Sequence, residues 1–164
     1  MSGKIEFGFD YLVLVRNLQW QGRNPSDGLD PVDDAAARLF LLQWGFTLKE
    51  IDEVNNVFWD RARTSSLPTD LLAVAKRIAD HVNENKDAKE RLVVELAAIG
   101  AMDGNVSPDE GRFVYNFRDL LDMRPSEFDA LINQGTGWAI GLNFFGQEFA
   151  KARGARSPYH ILPI

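Results

Sequence analysis

Seven carboxylates crowd into two short stretches, Asp27, Asp30, Asp33 and Asp34 in the first and Asp103, Asp109 and Glu110 in the second. Hard cations such as Ca²⁺ and Mg²⁺ take oxygen ligands, which closely spaced Asp side chains and backbone carbonyls supply. The chain has no cysteine and only His81 and His160, so it provides poorly for a soft metal. One familiar calcium loop can be tested by register. With Asp103 as position one, Asn105 and Ser107 fall at three and five, as an EF-hand needs. Pro108 then stands at six, where Gly is required, and Val114 at twelve, where Glu is required. That loop type is excluded. A plainer reading competes with cation binding. Acids in a helix's first turn are favoured by the helix dipole by about 0.3–1 kcal/mol each, and Glu110 can reach back to the Ser107 amide.

Other chemistry finds less support. The serines lie in cap and loop contexts, and neither histidine has a recognisable nucleophile–base setting. His81 falls on the polar side of its helix beside Asp80 and Glu84, and His160 lies in the final RSPYHILPI. Gly135-x-Gly137-x-x-x-Gly141 has no preceding strand and reads as a turn, not a phosphate loop. Trp20, Trp44, Trp59 and Trp138 are expected in or beside the core, and an exposed one would mark a partner site. Lys151, Arg153 and Arg156 form a small solvated basic cluster. No enzyme is expected; a metal-assisted hydrolase on the same carboxylates is a distant third reading.

The bulk numbers narrow the field further. Among 164 residues, 18 Lys and Arg face 24 Asp and Glu, a net charge of −6 that repels phosphate backbones and argues against nucleic acid. Absent cysteines exclude disulfides and thiolate chemistry and suit a reducing interior, so the cytoplasm is the expected address. The N-terminal apolar run, Leu12 to Val15, is too short for a secretory signal. The longest apolar stretch, Leu92 to Met102, is broken by Glu95, so no membrane insertion is expected.

Helical periodicity must position these groups. Leu71, Val74, Ala75, Ile78 and Val82 form one apolar stripe, backed by Lys76, Arg77, Asp80, His81 and Glu84. Ile51, Val54, Val57 and Phe58 form another, as do Phe113, Phe117, Leu120 and Leu121. Ala88 to Met102 is apolar on most faces after Arg91, which predicts a central helix. Gly22–Pro31, Thr64–Pro68, Asp103–Pro108 and Gln134–Gly141 read as breaks. The expectation is an all-α bundle of seven or eight helices.

Two segments correspond at an offset of 77 residues. Asp30-Pro31-Val32-Asp33 matches Ser107-Pro108-Asp109-Glu110, Phe40 falls on Phe117, and Trp44 on Leu121. Phe46 falls on Met123, and Glu50-Ile51-Asp52 on Glu127-Phe128-Asp129. Asp27-Gly28 faces Asp103-Gly104 with a one-residue difference in loop length. Each unit, a helix, an Asp-Gly loop and two further helices, is too small to bury its own apolar faces. A single domain over 1–164 is expected, with halves at about 8–61 and 69–134 and a C-terminal helix and tail over 138–164.

The run Ala97-Ala98-Ile99-Gly100-Ala101-Met102-Asp103-Gly104-Asn105-Val106-Ser107-Pro108-Asp109-Glu110 resembles the signature of the TerB-like family of tellurite-resistance proteins. The likeness extends over roughly Thr69 to Ile132; the first half matches in outline, with Asp33-Asp34 where an acidic-Glu pair is expected. The resemblance implies an all-helical fold of two similar halves and a role in tellurite resistance or stress response. It also implies a divalent cation on surface carboxylates. Carried over by position, the ligands are Asp103, Asp109 and Glu110, with Asp27, Asp30, Asp33 and Asp34 as a weaker second set. The functional expectation is a non-enzymatic binding module, Ca²⁺ or Mg²⁺ being the favoured cation. The alternative is a metal-free helical module that binds a protein partner through an aromatic groove or its acidic surface, a homodimer being one form.

Overall fold

The computed structural model describes residues 2–20, 30–102 and 108–152, apart from the side chains of 108–110 and 149–152. The described residues form seven α-helices and no strand: α1 (Gly3–Gln19), α2 (Pro31–Gln43), α3 (Leu48–Arg63), α4 (Leu71–Val82), α5 (Lys86–Ala101), α6 (Pro108–Leu120) and α7 (Pro125–Ala152).

Local chemistry explains most boundaries. Asp30 caps α2 by accepting from the Val32 amide at 2.8 Å, and Pro31 occupies the first helical position, where a missing N–H costs nothing. Thr47 and Glu50 form a complete capping box on α3, each side chain accepting the other's backbone N–H. Asp70 and Asn85 cap α4 and α5. The Ser107–Glu110 box lies outside the described residues.

Two helices are apolar nearly all round and hold the centre. α1 buries Tyr11, Leu12, Leu14 and Val15, and α5 buries Leu92, Val93, Leu96 and Ala98. The remaining helices lay their stripes against these two. α1 packs mainly on α3 and α4; α5 packs most extensively on α7.

The offset of 77 recurs in the backbone. α2 and α6 each span 13 residues, from Pro31 and Pro108. α2 ends with Gly45 at φ 92°, the Gly45 N–H donating to Leu42 O and the Phe46 N–H to Leu41 O. α6 ends with Asp122 at φ 52°, the Asp122 N–H donating to Asp119 O and the Met123 N–H to Arg118 O. Both are Schellman ends, and the residue after each left-handed position, Phe46 or Met123, is buried.

One expected break is absent. The glycines of 134–141 predict a turn and a helix that starts afresh near 138, whereas α7 runs unbroken from Pro125 to Ala152. The physical reason is close packing. A Cβ on Gly135 would lie 2.4 Å from Val94 O and 2.7 Å from Ala97 Cβ, so this glycine lets α7 press against α5. Residues 153–164 lie outside the described structure.

Candidate functional site

The first acidic elbow joins α1 to α2. Asp34, in the first turn of α2, is almost wholly buried, as is Arg16 near the end of α1. Arg16 donates from Nη2 to Asp34 Oδ1 at 3.0 Å, and Arg38, one turn along, donates from Nε to Asp34 Oδ2 at 2.9 Å. Arg16 also donates from Nη1 to Gln19 Oε1, while Gln19 Nε2 donates to the Asp33 carbonyl at 2.8 Å. Arg38 reaches outward to Asp52 Oδ1 at 3.4 Å. Each carboxylate oxygen of Asp34 thus accepts from a guanidinium. Such charge-assisted bonds in a dry site are strong, and losing one partner would strand a buried charge. A cation brought to Asp34 would have to displace or repel two positive groups. Asp30 serves the Val32 amide, the Asp33 side chain is buried, and Asp27 lies outside the described residues. Among the described carboxylates of this elbow, Asp34, held by two guanidinium groups, does not fit a divalent cation.

The second elbow joins α5 to α6. Asp103 lies outside the described residues, as do the side chains of Asp109 and Glu110 in the first turn of α6. The described structure brings no three potential metal-ligating side chains together. Sequence position nevertheless sets the elbows apart. Seventy-seven residues beyond Arg16, Asp34 and Arg38 stand Val93, Gly111 and Tyr115, none charged at neutral pH.

A second buried carboxylate, Glu95, lies midway along α5 with no exposed surface. Tyr11 from α1 donates to its Oε1 at 2.7 Å, and the Trp44 indole N–H at the end of α2 donates to the same oxygen. Arg91 Nε donates to Oε2 at 3.1 Å. Burial pushes the Glu95 carboxyl up to about 7, against the lowering effect of these donors. Burial beside this carboxylate also drives the Tyr11 phenol well above its ordinary value. Glu95 ties α1, α2 and α5 together from inside the core. Sequence reading registers it only as an interruption of an apolar run.

The aromatic residues divide. Trp20 and Trp59 pack with Phe58, and Trp44 packs against Phe7 and Tyr11, so these three are partly buried as expected. Trp138 is 40% exposed on α7, with Ile140 at 78% and Phe144 at 66%. His81 is exposed, with its ring edge-on to Phe7. It shares a cleft of about 440 Å³ with Asp10, Arg61 and Arg77, in which Arg77 grips both oxygens of Asp10 at 3.0 Å. No described helix is long and apolar enough to cross a membrane.

A family model described as "Tellurite resistance protein TerB" matches residues 29–133, nearly two thirds of the chain. The matched span opens at the first elbow and closes within α7, before its exposed apolar segment. No curated protein and no solved structure matches the chain. An all-helical fold, the helix-start signature at 97–110 and the family match agree, and the chain belongs to the TerB family of tellurite-resistance proteins.

Proposed function

We propose that this chain is a non-enzymatic binding module of tellurite resistance and the stress response. It takes a divalent cation, Ca²⁺ or Mg²⁺, at the second elbow through Asp103, Asp109 and Glu110. The observation that carries this reading is the fate of Asp34. At the first elbow both oxygens of that carboxylate are occupied by Arg16 and Arg38, so its acid is architectural. The second elbow has the acids without arginines at the equivalent positions. Clustered acids repel one another, and a hard cation relieves that repulsion. The two elbows would then divide the work within one domain of two similar halves, the first fixing the fold and the second binding.

The test is thermal melting with added Ca²⁺, Mg²⁺ or Zn²⁺. A ligand that binds only the folded form raises the Tm, by an amount that grows with the logarithm of its free concentration above Kd. The wild-type chain should respond to Ca²⁺ or Mg²⁺, and Asp103→Asn with Glu110→Gln should abolish the response while keeping the helical signal. A wild-type chain indifferent to all three cations removes the proposal.

A further inference from the structure

From residue 130 to residue 147 the chain carries no charged side chain, although charged types make up 26% of the whole. This stretch is the middle of α7. Its inner face is used: Ala139 and Leu142 are buried, and Gly135 and Gly146 meet α5 and Val32. Its outer face carries an exposed apolar cluster, Trp138, Ile140 and Phe144, flanked by Asn133, Thr136 and Gln147. Ile140 and Phe144 are exposed one turn apart, and a Cβ on Gly137 or Gly141 would meet nothing within 4 Å. An exposed apolar cluster of this kind on one helix face marks a contact surface.

We propose that the cover is the chain's own segment 154–164, docked back along the outer face of α7. Three arguments select it over a second copy. The first is reach. Phe144 and Ile140 lie about 12 and 18 Å back from Ala152 along the helix, at roughly 1.5 Å per residue. Eleven extended residues span about 36 Å. The second is size. The exposed parts of Trp138, Ile140 and Phe144 sum to roughly 300–400 Å², well below the ~800 Å² per partner of a stable dimer. Tyr159, Ile161, Leu162 and Ile164 supply a matching number of apolar side chains within one short segment. The third is charge: 154–164 has no acidic residue and a single Arg, Arg156, near its start, while Trp138, Ile140 and Phe144 are uncharged. Attachment at Ala152 makes the docking intramolecular, so a modest apolar contact suffices. The inference is independent of the cation reading.

The chain has no cysteine, so His160→Cys accepts a single nitroxide at an unambiguous position. Amide signals of ¹⁵N-labelled protein then report distance to that label. Docking predicts a loss of intensity greatest at 140–144, and Ile161→Ser with Leu162→Ser and Ile164→Ser should restore those signals. The triple variant should also bind a hydrophobic dye several-fold more strongly than the wild-type chain. Broadening that merely decays backwards from Ala152 overturns the proposal. Broadening that also arises when labelled ¹⁴N chains are mixed with unlabelled ¹⁵N chains makes the occupant a second copy and overturns it equally.

Discussion

At the first elbow Asp34 lies between Arg16 and Arg38, buried where α1 meets α2. Seventy-seven residues later the same backbone plan returns, with a 13-residue helix opening on proline and closing on a left-handed residue, but Gly111 stands where Asp34 stood. The two helix starts carry different residues at corresponding positions. Acidic residues at a helix start therefore do not define a function by themselves. What faces them decides whether they hold the fold together or remain open to a ligand.

The largest effect should come from breaking the first elbow. Arg16→Met leaves Asp34 buried with one cation fewer, which should cost about 3–5 kcal/mol in denaturant unfolding. A stable chain with both Arg16→Met and Arg38→Met whose first elbow remains indifferent to Ca²⁺ would show that arginine occupancy alone does not distinguish the elbows. Glu95 gives the next effect. Its folded pKa is raised above the unfolded value of 4.5 to about 7, so the folded state binds the proton more tightly. The stability it contributes is complete below about 4.5 and is lost as pH rises through about 7. Relative to Glu95→Gln, which cannot titrate, the wild-type chain should lose about 3 kcal/mol over that window.

Smaller effects compare the two faces of α7. Gly135→Ala should destabilise by about 1–3 kcal/mol, because its Cβ would press on the α5 backbone. Gly137→Ala, in open space on the same helix, should stabilise by about 0.5–1 kcal/mol. Equal responses would remove the packing explanation for the uninterrupted helix. The smallest change belongs to the second elbow without metal. Asp103→Asn with Glu110→Gln should alter cation-free stability by no more than about 1 kcal/mol, the scale of a cap.

Much of this was legible in the residues. Stripes such as Val74–Ile78–Val82, the Thr47–Glu50 box and the Asp30–Pro31 start follow from period and cap chemistry, and each is present. The glycines of 134–141 mislead because a glycine needed for close helix packing looks the same in one dimension as a glycine needed for a turn. Within the Arg16–Asp34–Arg38 clamp, Asp34 and Arg38 pair at i,i+4 along α2, but no local pattern brings Arg16 to them from across the loop. One signal was available for two buried charges. Arg16 follows the apolar run Leu12–Val15 directly and Glu95 stands inside the otherwise apolar Leu92–Ile99, and a charge so placed on a buried helix must be buried and paired.

The contrast between the elbows can be read in a single titration. Amide and carboxyl resonances of isotopically labelled protein, followed as Ca²⁺ or Mg²⁺ is added, report both elbows at once. The account predicts saturable shifts at Asp103, Asp109 and Glu110, with Asp33 and Asp34 unmoved. Shifts of equal size at Asp34, or none at the second elbow, would contradict it.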